Sequence, residues 1–371
     1  MRRETYLDWN ATTPLRPEAA TAIAGALALG GNPSSVHASG RAARQLVERS
    51  RATVAALVGV APDGIVFTSG GTEANHLALL GSGRGRVLVS AVEHSSVLQA
   101  LPDAERIPVD RDGLVDGAAL AALLAAEERP ALVSVMLANN ETGVIQPVRA
   151  LAEIAHSHGA LFHCDAVQAV GKILVSLTGL GTDLLTMSAH KLGGPAGAGA
   201  LVMAPGVEVA PLQRGGGQER YRRAGTENLA GIAGFAAAAA VCDPVEYERV
   251  RHLRDRLEAA LPSDAIVIGA GTPRLPNTSA IAMPGVPAET QVIALDLDGV
   301  MVSAGAACSS GKVGSSHVLA AMGLAPDIAN ATIRVSLGWS TTEADIAHFL
   351  DAWATLYRRV HIHASRNCRA A

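Results

Sequence analysis

Six short apolar runs, rich in β-branched residues, recur up to residue 203. They are GIVFTS (64–69), RVLVSA (86–91), ALVSVM (131–136), ALFHCD (160–165), LLTMSA (184–189) and AGALVM (198–203). Helical spacing separates several of them, at 73–80, 116–127 and 147–158. A strand with one wet face alternates polar and apolar residues. These runs are apolar nearly throughout, so they need cover on both faces. Strands of that kind, joined through helices, predict an α/β fold with a mainly parallel sheet between helical layers. From about residue 227 the pattern changes. Helices at 227–241 and 244–261 lead into strands at 265–268, 279–283 and 332–337, with helices at 287–296, 316–322 and 342–358. This predicts a smaller C-terminal α+β part. The tail RVHIHASRNCRAA reads as a frayed, exposed terminus.

The chain has 371 residues, 49% of them hydrophobic, and a net charge of −4. That charge gives no general attraction to nucleic acid or an anionic membrane. No apolar run reaches the roughly 18 residues that span a bilayer. The opening MRRETYLDWNATTP is too polar for a secretory signal, so none is expected. Four cysteines (Cys164, Cys242, Cys308, Cys368) are scattered with no CxxC pair. Neither a disulfide framework nor a zinc site is expected, and a reducing cytoplasm is.

Lysine occurs only at Lys172, Lys191 and Lys312, so any lysine chemistry uses one of these. Lys191 closes SAHK at the end of an apolar strand, ahead of GGPAGAG. A lysine desolvated there has a lowered pKa and can form a Schiff base with a carbonyl. If a helix starts after Asp165, Lys172 sits on its far side and reads as a surface lysine. In TSGGTEAN (68–75), two glycines join a strand to a helix. Backbone N–H groups there make an anion cradle to which Thr72 adds a hydroxyl. The alternative is a tight turn with Thr72 as N-cap and a Glu nearby. Asp165 ends another strand at the carboxyl edge, where α/β sheets bind ligands, or it caps a helix. Gln168 follows three residues on. His94 and Asn140 stand at two further strand ends, and Ser188 and His190 flank Lys191. Thr72, His94, Asn140, Asp165 and Lys191 are expected to face one crevice. That set suits pyridoxal 5'-phosphate, which takes a lysine for its aldehyde, a carboxylate for its ring nitrogen and a cradle for its phosphate.

Read in order, YLDWNATTPLRPE (6–18), GNPSSVHASGR (31–41), VFTSGGTEANHLAL, VEHSSVL, NNETGVIQPV, HCDAVQAVGK, SAHKLGGPAG, GGGQERYRRAGTEN (215–228), SAGAACSSG (303–311) and IRVSLGWSTTEADI (333–346) resemble the cysteine desulfurases of the NifS/IscS type. These belong to the class V aminotransferase branch of fold-type I pyridoxal-phosphate enzymes. The resemblance implies a large cofactor-binding α/β domain with a mainly parallel seven-stranded sheet over 14–255. It implies a small α+β domain from 1–13 and 256–371. Lys191 matches the lysine that carries the cofactor, Asp165 the partner of its ring nitrogen, and Gln168 the contact to its ring hydroxyl. His94 matches the stacking histidine, which also serves acid/base work. Gly71, Thr72, Ser188 and His190 match phosphate contacts. Thr226 matches a threonine that reaches the phosphate in the neighbouring subunit, which implies a homodimer. Arg334 matches the arginine for the substrate carboxylate, with Asn140 and Asn32 as further substrate contacts. Cys164 stands where a small apolar residue is more usual, and is expected to be buried and inert.

Cys308 matches the catalytic cysteine. The resemblance implies that it takes sulfur from L-cysteine as a persulfide, leaves alanine, and passes the sulfur to an iron–sulfur scaffold protein. Cys308 is also a candidate ligand for a nascent cluster at that interface. The small residues of SAGAACSSGKVGS (303–315) leave the backbone few limits, so the stretch reads as a carrier arm with Lys312 as an exposed charge. It is not a nucleotide loop. Five residues separate Gly305 from Gly311, and Val313 stands where a Walker A motif needs Ser or Thr. A selenocysteine lyase or another class V enzyme is the nearest rival, and a transaminase has no need of Cys308.

Overall fold

The computed structural model describes residues 3–305 and 316–367. Cys308, Lys312 and Cys368 lie outside the described residues.

All six apolar runs are strands of one seven-stranded sheet. Its order is Ile65–Thr68, Gly199–Met203, Leu184–Ser188, Leu161–Asp165, Ala131–Ser134, Arg86–Ser90, Glu105–Ile107. The last strand, with Glu and Arg at two of its three positions, was not read from the sequence. Gly199–Met203 runs antiparallel to both neighbours, and every other pair is parallel. Cover on both faces is realised by alternation. Ile65, Leu88, Val133, Phe162 and Leu185 enter one core with residues of helices Ala38–Leu57, Val148–Ser157 and Leu229–Ala240. Val66, Val89, Leu132, Leu184 and Leu201 enter the other, beneath helix Gly71–Gly81. Each such side chain contributes about 1.5–3 kcal/mol by leaving water.

A four-stranded antiparallel sheet follows in the order Ser303–Ala304, Thr332–Ser336, Thr278–Ala282, Ile266–Ile268. Its core holds Ile281, Ile333, Phe349 and Trp353. Helix Glu246–Ala259 adds Tyr247, Val250, Leu253 and Leu257 to that same core. The last helix, Glu343–Asn367, runs beyond the expected end at 358. Residues 5–13 stitch the two sheets together. Leu7 N donates to Met301 O at 2.9 Å, Ser336 N to Leu7 O at 2.8 Å, and Thr13 N to His190 O at 2.9 Å.

The loop after the large sheet is held by one buried ion pair. Arg51 donates to both carboxylate oxygens of Glu219 at 2.7 and 2.8 Å, and Glu219 also accepts from Phe67 N at 2.9 Å. Glu219, Arg220 and Tyr221 all sit in the left-handed region, with φ of 43°, 56° and 65°. Non-glycine residues reach that region only when surrounding contacts hold them. Arg51→Met leaves Glu219 buried without its partner and is expected to cost about 3–5 kcal/mol. Urea unfolding checks this, and a loss under about 1 kcal/mol would contradict it.

Candidate active site

The carboxyl ends of the parallel strands open on a cavity of about 340 Å³. It is lined by Gly71, Thr72, His94, Asn140, Asp165, Gln168, Ser188, His190, Lys191 and Arg334. Ten residues singled out in the sequence thus meet in one place. Two others do not. Asn32 is exposed, and its side-chain oxygen accepts from Ser34 N at 2.9 Å within its own turn. Thr226 is exposed and lines a separate cavity with Ser69, Glu219 and Arg223.

Helix Gly71–Gly81 points its N-terminus at the main cavity. Thr72 is not its cap. Gly70 holds the cap position, with no side-chain cap bond. Glu73 instead takes the Ser69 N–H at 2.6 Å and pairs with Arg223 at 2.8 Å. The orphan N–H groups of the first turn, with the helix dipole, remain for an anion. A Cβ at Gly71 would come within 2.9 Å of Val167 Cγ2, so bare backbone lines that corner.

Asp165 is 6% exposed. It accepts from Asn75 Nδ2 at 2.8 Å and from Val167 N at 3.0 Å. No helix starts there, so both oxygens are fixed by a turn and by Asn75. His94 caps the short helix Ser95–Leu98, its Nδ1 accepting from Ser96 N at 3.1 Å. That leaves the ring proton on Nε2. Burial holds the His94 pKa below its ordinary value, against the pull of Asp165. His190, beside Thr12, is likewise pushed down to about 4, first by burial and then by Lys191 and Lys172. Lys191 Nζ donates to the carbonyls of Asn10 and Ala11.

Lys172 corrects the surface reading. It is 1% exposed, and its Nζ donates to Asn10 Oδ1 at 3.0 Å and Gln168 Oε1 at 2.9 Å. No helix carries it outward; turns after Asp165 fold it inward under the site. Cys164 is fully buried, as expected, and burial raises its thiol pKa well above the usual value. On the far wall Arg334, 2% exposed, pairs with Asp8 at 2.7 Å and donates to Asn140 O at 3.1 Å. Sequence reasoning missed Asp8, Asn10, Asn75, Glu93 and Lys172 as site residues. The first two lie inside YLDWNATTP, so their signal was the motif itself.

The donors present fit pyridoxal phosphate. The uncapped helix N-terminus, with Ser188 and His190 beside it, suits a phosphate. Asp165, held by two neutral donors, suits a protonated ring nitrogen. Asn75 Oδ1 is buried without a partner and adds an unused acceptor to the same wall.

The sequence profile described as aminotransferase class-V matches residues 5–349. A cysteine desulfurase of Cereibacter sphaeroides is 47% identical over 365 residues, covering 93% of this chain and 94% of that protein. A cysteine desulfurase IscS of Dictyoglomus turgidum is 42% identical over 372 residues, with 95% and 94% covered. The X-ray structure of a NifS-like protein from Rickettsia africae superposes with a TM-score of 0.90 at 36% identity, covering 96% of this chain and all of that one.

Glu93, next to His94, is fully buried. Its Oε1 accepts from Ser90 Oγ and Met136 N, both at 2.6 Å. Burial, with Asp165 adding to it, pushes its pKa up from 4.5 to about 8. A raised carboxyl pKa means that folding takes up a proton. This contribution is complete below about pH 4.5 and is lost as pH rises towards about 8. Glu93→Gln removes the titration. Its stability relative to the parent is therefore expected to rise by up to roughly 1.4 kcal/mol per pH unit across that window. Urea unfolding at about pH 5 and about pH 8 checks it, and a constant difference would contradict it.

Proposed function

The chain belongs to the class-V aminotransferase family, and from that premise we propose that it is a pyridoxal-phosphate-dependent cysteine desulfurase. It converts L-cysteine to L-alanine and leaves the sulfur as a persulfide on Cys308. The observation that carries this reading is one cavity uniting Lys191, Asp165 and an uncapped helix N-terminus.

The first turn of helix Gly71–Gly81, with Thr72, Ser188 and His190, binds the phosphate. Asp165 holds a proton on the ring nitrogen, and Gln168 meets the ring hydroxyl. Bound there, the cofactor supplies a sink for the electron pair left when a proton leaves the Cα of the amino acid. Lys191 would hold the aldehyde, and its amine is the base placed to carry that proton. His94, which lines the cavity, would contact the cofactor, with its Nε2–H as the proton available to the reaction. Arg334, steadied by Asp8, holds the substrate carboxylate, and Asn140 lies beside it. The Cys308 thiolate attacks the substrate sulfur. The S–S bond forms as the C–S bond breaks; Cβ takes up a proton in place of the sulfur, and Cα regains the proton carried by Lys191, which leaves alanine. The thiolate is the reactive form, and an unperturbed thiol has a pKa near 8.5.

The persulfide then passes to an acceptor, which we assign to an iron–sulfur scaffold protein; Cys308 as a cluster ligand belongs to that same encounter. A homodimer is supported by Thr226, which is exposed and does not line the main cavity, and so is placed to serve a neighbour's. A cytoplasmic setting is supported by Cys164 and Cys242, which are free thiols. We read residues 14–255 as the large domain, and 1–13 with 256–371 as the small one. Helix Glu246–Ala259, whose Tyr247, Val250, Leu253 and Leu257 pack in the second core, supports a division between the two parts in this region.

Purified protein is expected to show the visible absorbance of bound cofactor and to release alanine and sulfide from L-cysteine in the presence of a thiol reductant. Lys191→Ala should lose both. Cys308→Ala should keep the absorbance and lose turnover by at least about a hundredfold. Full turnover in Cys308→Ala would refute the assignment of the sulfur to that residue.

A further inference from the structure

Lys172 has no part in the chemistry above, yet it is buried directly behind it. Its two hydrogen-bond acceptors are amide oxygens, on Gln168 and Asn10. No carboxylate is among them. Gln168 lines the cavity and Lys172 does not. The far end of Gln168 is also committed, because its Nε2 donates to Asn10 O at 3.0 Å. A backbone carbonyl can only accept, so the end of the Gln168 amide that meets Asn10 O is Nε2, and the end that meets Lys172 is Oε1. The two bonds together therefore fix which end of the amide is oxygen and which is nitrogen. Oε1 is spent on Lys172, and one N–H of Nε2 is spent on Asn10. The second N–H is the one left for the cavity. Without Lys172, Oε1 loses its donor and the amide is held at one end only, by the bond from Nε2 to Asn10 O. The same lysine steadies Asn10, whose backbone oxygen accepts from Lys191.

We propose that Lys172 is a positioning residue for the cofactor seat. By holding Gln168 Oε1 and Asn10 Oδ1 it turns an N–H of Gln168 towards the ring oxygen of the bound cofactor. The inference rests on the pyridoxal-phosphate reading given above. Burial lowers the Lys172 pKa well below its usual value, with Lys191 and Arg334 adding to the effect. The neutral amine has two N–H groups, which match its two acceptors.

The test is a double-mutant cycle on the full chain, using Lys172→Met, Gln168→Leu and the pair. Three quantities are read: the Kd of the apoprotein for pyridoxal phosphate, the position of the visible band, and the Tm of the apoprotein. Each single variant is expected to raise Kd about tenfold and shift the band. The double variant should stay within about twofold of the worse single one, because both remove the same contact. Lys172→Gln, which keeps a donor, should recover most of the affinity and the parental band. Two results overturn the proposal. One is a lower apoprotein Tm in Lys172→Met with Kd and band unchanged, which is a purely structural role. The other is single effects that multiply in the double variant. If Lys172→Met does not fold, the same cycle is run with Lys172→Gln, and multiplying effects or an unrecovered band overturn the proposal there too. If the parent protein binds no pyridoxal phosphate, the functional reading itself fails, and the proposal with it. That failure is visible before any variant is made.

Discussion

Asn10 is the knot on which the site depends. Its backbone carbonyl accepts from Lys191 and Gln168, and its Oδ1 from Lys172 and Asn277. Its Nδ2 donates to Thr278 Oγ1 at 2.9 Å, and its backbone N to Ser336 Oγ at 2.9 Å. With Asn140 O, which also accepts from Nδ2 at 3.3 Å, four partners come from loops at the edge of the large sheet, and three from the small sheet or its approach. Asn10 is 1% exposed, so each bond satisfies a group with no water to fall back on. Leaving one such group unpaired costs about 1–3 kcal/mol. A single residue near the N-terminus thereby sets the register between the two cores and places both lysines relative to the cavity.

The large sheet supplies rigidity for that arrangement. Asp165 and Ser188 end neighbouring central strands, and Asp165 pairs in register with Thr186. The strand Gly199–Met203 lies beside Ser188 and passes beneath the loop that starts helix Gly71–Gly81. A Cβ at Gly199 would come within 2.6 Å of the Gly70 backbone, so only glycine lets the anion-facing turn sit this close. Groups fixed on strand ends and tight turns lose little freedom when a ligand binds, which is what a preorganised site requires. Neutral histidines fit the same picture. Burial lowers the pKa of His94 and of His190, the latter to about 4, so both rings are biased towards the neutral form beside Arg334 and the helix dipole.

The strands were legible because burial on both faces removes polar residues from a run, and that leaves a mark in any single sequence. Glu105–Ile107 left none, since an edge strand keeps its charged residues. The direction of Gly199–Met203 was hidden too, because a buried antiparallel strand is as apolar as a parallel one. In the site, residues at strand ends were readable from position alone. The supporting residues were not. Arg334 and its partner Asp8 are 326 positions apart, and Lys172 and its partner Asn10 are 162 apart. A lysine after a turn defaults to the surface until such a partner is known. Spacing left Thr72 open between an anion contact and a helix cap; Gly70 holds the cap position and Glu73 reaches back to Ser69, which leaves the N-terminus open.

The account turns on which of two lysines meets the cofactor. Lys191 faces the cavity, and Lys172 stands behind Gln168. Borohydride reduction of the protein with pyridoxal phosphate, followed by peptide mass analysis, reads this directly. The account predicts the reduced pyridoxyl group on the peptide bearing Lys191, with Lys172 unmodified. A label on Lys172, or none on either lysine, would contradict it.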